Sequence, residues 1–226
     1  MNLLCGVLGV IFTLRGRIDA AFPLMLAAAA ADFCDGFAAR LLHAYSDIGK
    51  ELDSLADTVS FGVLPSLMLF VTMELNGGPG LVCYIPLFLA VMSALRLAKF
   101  NIDTRQSVNF IGLPTPSAAL LCGALCHYIF NRPDSLLAGL AAGRIFIPLT
   151  AIVLGLLLVS EIPMFSLKSG KKTDKPEHDW KKTALFSIVA ICIIITAVTG
   201  SLWSLAAILV FSAYILMNIV FALFRI

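Results

Sequence analysis

Apolar runs long enough to cross a bilayer, separated by short polar breaks, constrain this chain more than any other feature. A transmembrane helix needs about 20 mostly apolar residues. Such runs are predicted over 1–14, 18–40, 52–73, 81–100, 114–131, 145–160, 183–200 and 202–224. The breaks read as turns: Asn76-Gly77-Gly78-Pro79-Gly80, Asn131-Arg132-Pro133-Asp134 and Gly200-Ser201. Residues 168–182 form a lysine-rich loop that cannot lie in hydrocarbon. Of 226 residues, 60% are hydrophobic and 13% charged, whereas soluble domains average roughly 45–50% apolar and about 25% charged. Lipid must therefore solvate much of the surface. The expected fold is an all-α integral membrane protein.

Charge sets the orientation. The net charge of +2 is too small to argue for a nucleic-acid partner. Twelve of the sixteen Lys and Arg fall on the side that carries Arg40, Lys50, Arg96, Lys99 and the 168–182 loop. Only Arg15, Arg17, Arg132 and Arg144 fall on the other. By the positive-inside rule the first side is expected to be cytoplasmic, in a multi-pass protein of the cell membrane. The first span is short: about 14 residues reach roughly 21 Å, less than a hydrocarbon core of about 30 Å. It is expected to be a shortened start or to lack its first residues. The six cysteines sit in or beside apolar runs without a CxxC pair, and read as small apolar packers.

The chemistry is concentrated at the ends of two spans. One ends Asp32-Phe33-Cys34-Asp35-Gly36-Phe37-Ala38-Ala39-Arg40. The next begins Gly49-Lys50-Glu51-Leu52-Asp53-Ser54-Leu55-Ala56-Asp57. Asp32 and Asp35 are three apart, and Gly49, Asp53 and Asp57 are each four apart, so each set lines one helix face. The polar segment between them lets the helices turn and face each other. Carboxylates at that density repel unless cations lie between them, and hard oxygen donors suit Mg²⁺ or Mn²⁺. Gly36 and Ala39 leave room beside the acids, and Arg40 offers a fork suited to phosphate. Acids, divalent metal, a small-residue gap and an arginine together describe a diphosphate site.

The run Asp32-xx-Asp35-Gly36-xx-Ala39-Arg40, eight residues, then Gly49-xxx-Asp53-xxx-Asp57 resembles the full signature of the CDP-alcohol phosphotransferase family. The resemblance implies a six-helix membrane core with two divalent cations held by Asp32, Asp35, Asp53 and Asp57. Asp57 would also be the general base. Gly36, Ala39, Arg40, Ser46 and Gly49 would surround the CDP-diacylglycerol. The family works as a homodimer, which is the expected partner state. Four later segments are similar to the phosphatidylserine synthase subgroup: Ser60 to Pro65, Arg96 to Asn101, Gly112 to Ser117 and Ser160 to Lys168. They imply L-serine as acceptor. Arg96 and Lys99 could hold its carboxylate, with Asn101 orienting it and Glu161 near the ammonium.

The resulting organisation is a core over 1–167, a basic loop over 168–182 and a terminal hairpin over 183–226. The hairpin is extra to the family core and has no assigned role. Two other readings compete. One keeps the chemistry with glycerol 3-phosphate or inositol phosphate as acceptor. The other, a divalent-cation transporter, needs acids spread through the membrane depth, whereas here they cluster at one end.

Overall fold

The computed structural model describes residues 1–42, 46–77, 80–103, 110–164, 177–198, 200 and 202–224. The chain is built from helices, as expected from the hydropathy. In order they are α1 (Asn2–Leu14), α2 (Ile18–Leu41), α3 (Asp47–Asp57), α4 (Leu64–Leu75), α5 (Phe88–Ile102), α6 (Thr115–Asn131), α7 (Leu136–Ala141), α8 (Phe146–Val159), α9 (Glu177–Val198) and α10 (Trp203–Phe224). A π-helical turn, Thr58–Val63, joins α3 to α4, and a 3₁₀ segment, Gly80–Leu87, leads into α5. Among the described residues the only strands are the two-residue β1 (Phe110–Ile111) and β2 (Pro163–Met164), paired antiparallel.

Among the described residues, four spans are long and apolar enough to cross a membrane: Ile18–Ala39, Asp47–Leu75, Gly80–Ile102 and Trp203–Phe224. Asn2–Leu14, Phe146–Val159 and Val189–Val198 are shorter apolar helices. Two expected boundaries move. The span expected at 52–73 begins five residues earlier because Ser46 caps α3, its hydroxyl accepting the Gly49 N–H at 3.0 Å. The loop expected over 168–182 overlaps α9, which starts at Glu177; residues 165–176 lie outside the described residues.

Packing follows membrane rules. Between lipid-soluble helices there is little hydrophobic drive, so small and polar residues make the contacts. α1 shows this directly. It buries Asn2, Gly6, Gly9 and Thr13 and exposes Leu3, Leu4, Val7, Leu8 and Ile11. The buried stripe seats on the π turn and α4. A Cβ on Gly6 would collide with the Ser60 hydroxyl, and one on Gly9 would lie 2.7 Å from Leu64 Cδ2. α6 is the central post, with Ala118, Ala119, Cys122, Ala124 and Cys126 essentially inaccessible. Its Gly123 admits the Phe22 ring of α2, which a Cβ would meet at 2.6 Å.

The π turn has a local cause. Pro65 has no N–H to continue the helical ladder, so the preceding turn widens. Within it Gly62 lets α5 approach: a Cβ there would sit 3.0 Å from Ser93 Cβ. That close antiparallel crossing sets the register of α5 against α3. One turn beyond Ser93 comes Arg96, beside the turn that carries Asp57.

The start of α6 is fixed by a second glycine. Gly112 has φ +77°; its N–H donates to Ile162 O at 2.9 Å, and the Leu113 N–H to Leu157 O at 2.9 Å. A Cβ on Gly112 would lie 2.6 Å from Leu158 O and 2.8 Å from Ser160 O. Neither carbonyl can swing aside as a side chain could. Gly112→Ala is expected to cost roughly 1–3 kcal/mol through the left-handed backbone. A lower thermal midpoint in detergent, with activity lost in proportion to folded protein, is the outcome to measure. An unchanged midpoint would contradict this account of the loop.

Candidate active site

Two helix ends and the π turn place the acids. Asp32 lies in the second half of α2, and Asp53 and Asp57 lie one turn apart at the end of α3. One ligand oxygen from each of these three falls within 4.8 Å of the others. Asp53 is exposed, Asp32 half-buried and Asp57 buried. At an effective dielectric of about 20, like charges 4.8 Å apart repel by roughly 3 kcal/mol before solvent screening. Three carboxylates held together in this way form a hard oxygen-donor set that fits a divalent cation. Asp35 is outside this group. It is exposed, and its Oδ2 lies 4.0 Å from the Met1 amino nitrogen.

Asp57 has the most elaborate surroundings. Its Oδ1 accepts from Asn2 Nδ2 at 2.8 Å, and both residues are buried. The Ser60 hydroxyl donates to the Asn2 carbonyl at 3.2 Å. The N-terminal turn of α1 is thus clasped to the end of α3 and to the π turn, by one bond each. On the other flank, the Arg96 guanidinium interacts electrostatically with Asp57. Arg96 is 7% exposed, little for a side chain that is rarely buried unless paired. Its Nη1 donates to Thr115 Oγ1 at 3.1 Å, and its guanidinium carbon lies 5.5 Å from the centroid of the Phe100 ring.

The other expected site residues fall as follows. Gly36 is exposed, and a Cβ there would meet nothing within 4 Å. Ala39 is half-buried on the same helix. Arg40 lies in the last turns of α2, its side chain outside the described residues. Ser46 and Gly49 make the α3 cap, which leaves the Ser46 hydroxyl proton available to a phosphate oxygen. Lys99 is exposed. Asn101 braces α5 against α3: its Nδ2 donates to Ser54 Oγ at 2.9 Å and to Glu51 Oε2 at 3.3 Å, and its carbonyl accepts from Lys50 Nζ at 2.8 Å. Glu161 is exposed, next to β2. Asn2 and Thr115 were not among the expected site residues; each touches a charged group at the centre.

Comparison with known proteins points the same way. The family model for CDP-alcohol phosphatidyltransferase matches residues 1–159, which ends before α9 and α10. A Bacillus subtilis protein named CDP-diacylglycerol–serine O-phosphatidyltransferase is 38% identical over 131 residues, covering 58% of this chain and 72% of its own. One of the same name from Methanocaldococcus jannaschii is 34% identical over 181 residues, covering 74% of this chain and 83% of its own. Another, from Helicobacter pylori strain J99, is 34% identical over 179 residues, covering 75% and 70%.

Proposed function

Because this chain belongs to the CDP-alcohol phosphatidyltransferase family, we propose that it transfers the phosphatidyl group of CDP-diacylglycerol to L-serine, giving phosphatidylserine and CMP. The observation that carries the chemistry is the convergence of Asp32, Asp53 and Asp57 beside buried Arg96. The printed names of the relatives support serine.

In this reading Asp32, Asp53 and Asp57 hold divalent metal, with Asp35 completing the set from the neighbouring turn. Bound there, metal would neutralise the diphosphate and the departing CMP. Asp57 takes the proton of the serine hydroxyl. The freed oxygen bonds to the phosphatidyl phosphorus as the bond from that phosphorus to the CMP oxygen breaks. Asn2 holds one Asp57 oxygen so that the other faces the hydroxyl. Arg96 binds the serine carboxylate, its fork matching the two oxygens. Gly36, Ala39, Arg40, Ser46 and Gly49 line the nucleotide side.

Phe33 and Phe37 stack 6.4 Å apart, and with Leu52 and Leu55 they expose an apolar rim next to the carboxylates. That rim suits acyl chains arriving sideways from the bilayer. We place the site at the cytoplasmic face on the charge bias, and take the core as 1–167 with a homodimer as the assembly.

The test is purified full chain in detergent with CDP-diacylglycerol, Mn²⁺ or Mg²⁺, and a panel of serine, glycerol 3-phosphate and inositol phosphate. Serine-dependent CMP release that stops on chelation and returns with metal is expected. Turnover with another alcohol and none with serine would overturn the acceptor. Metal flux into proteoliposomes without CMP release would overturn the enzyme reading.

A further inference from the structure

α3 carries two of the three clustered carboxylates, yet little apolar packing holds it. It buries only Ala56 and Asp57, both in its last turn, and leaves Ile48, Leu52 and Leu55 exposed. Among residues 46–55, Ser54 alone is not exposed. Polar groups of α5 hold these first turns instead. The Asn101 Nδ2 donates to Ser54 Oγ at 2.9 Å and to Glu51 Oε2 at 3.3 Å. The Lys50 ammonium donates to the Asn101 carbonyl at 2.8 Å, one of the last four carbonyls of α5, which the helix itself does not supply with a donor. Ser54 Oγ in turn donates to the Lys50 carbonyl at 3.2 Å. These bonds agree with one another: the Glu51 carboxylate can only accept, so it fixes the amide with its NH₂ end toward α3. Of the two helices α5 is the firmer post. It buries Leu89, Ser93, Arg96 and Leu97, and Gly155 of α8 admits its Phe88 ring, which a Cβ would meet at 3.0 Å.

We propose that Asn101 is a positioning residue for the metal-binding carboxylates: its clasp on Lys50, Glu51 and Ser54 sets where α3 holds Asp53 against Asp32. The proposal rests on the preceding reading, in which these acids bind divalent metal. Ser54 follows Asp53 directly, so the bonds that fix Ser54 also fix the backbone that carries the carboxylate. That carboxylate needs holding. The three ligand oxygens lie within 4.8 Å of one another, and like charges at that separation push apart. Asp57 is held separately, by Asn2 and by its burial. Asp53 is the exposed member of the three and has the most room to move away. Without the clasp the first turns of α3 yield to the repulsion, and an incoming cation has to draw Asp53 back. The cost of ordering α3 then falls on metal binding, and affinity drops.

The test is Mn²⁺ binding to the purified full chain without substrate, read from the electron paramagnetic resonance signal of free Mn²⁺. In Asn101→Ala the dissociation constant should rise about tenfold, the low end of what outer-shell partners contribute. The thermal midpoint in metal-free buffer should stay within about 2 °C of wild type, because the clasp lies at an exposed edge. Asn101→Asp should bind more weakly still, since it sets a carboxylate opposite Glu51. Asn101→Asp combined with Glu51→Gln exchanges acceptor and donor across the same gap, and should recover the affinity to within about threefold of wild type. Neither a packing role nor a contact with the acceptor predicts that recovery. Wild-type Mn²⁺ affinity in Asn101→Ala overturns the proposal, and a raised serine KM beside it would make Asn101 a contact of the acceptor instead. Absent recovery in the paired variant overturns it as well. Failure of the metal reading shows in the wild type, as no saturable Mn²⁺ binding; failure of the Asn101 role shows only in the ratio of variant to wild type.

Discussion

Asp57→Asn should reduce CMP release by about 10²–10⁴-fold, the range a positioned general base contributes, without unfolding the protein. The two halves of that expectation come from different observations. The amide is isosteric and keeps an oxygen for Asn2 Nδ2, now 2.8 Å from Asp57 Oδ1, so the bond between α1 and the end of α3 survives. The substitution also removes one of three carboxylates lying within 4.8 Å of one another. In metal-free buffer the thermal midpoint should therefore stay level or rise. Added Mn²⁺ should raise the wild-type midpoint, because a ligand that binds only the folded state stabilises it by mass action. The variant should show less of that rise. Turnover within threefold of wild type would remove Asp57 as the base. A midpoint that falls sharply in metal-free buffer would show that the carboxylate charge holds the site together, contrary to the repulsion argued above.

The parts of this site that could be read from the chain are those whose spacing is local. Asp53 and Asp57 share a face because they are four apart on one helix, and the sequence alone says so. Arg96 was visible as a charge at the end of an apolar span, but its burial was not. It follows from the close crossing at Gly62 and Ser93, which lies in no local pattern. Asn101 was expected to orient the acceptor; that its side chain also spans to Ser54 and Glu51 on α3 had no local sign. The π turn had a signal in Pro65, yet a proline two residues into a helix is ordinary, and only the register between α3 and α5 shows what the wider turn achieves. Thr115 is 19 positions from Arg96, a distance at which a single sequence carries no pairing information.

Asn2 follows the same logic and carries the second large effect. Nothing marks one asparagine near the start of a short apolar run. The readable sign was the stripe Asn2, Gly6, Gly9 and Thr13, small and polar at helical spacing on a helix otherwise made of Leu, Val, Ile and Phe. That stripe is the face α1 turns inward, and its first member donates to Asp57. A hydrogen bond to a charged group contributes about 1.5–3 kcal/mol, and a buried acceptor left unmatched costs in the same range. Asn2→Leu fills similar volume without a donor. Its kcat should fall by roughly ten- to a hundredfold while the serine KM moves little, since Asn2 acts on Asp57 and not on the acceptor. Asn2→Asp should be worse still, because it sets another carboxylate against a cluster that already repels itself. The opposite split, a raised KM with kcat intact, would place Asn2 in the acceptor pocket. Wild-type kinetics in Asn2→Leu would mean that the 2.8 Å bond to Asp57 has no part in catalysis, and that α1 serves the site only as packing.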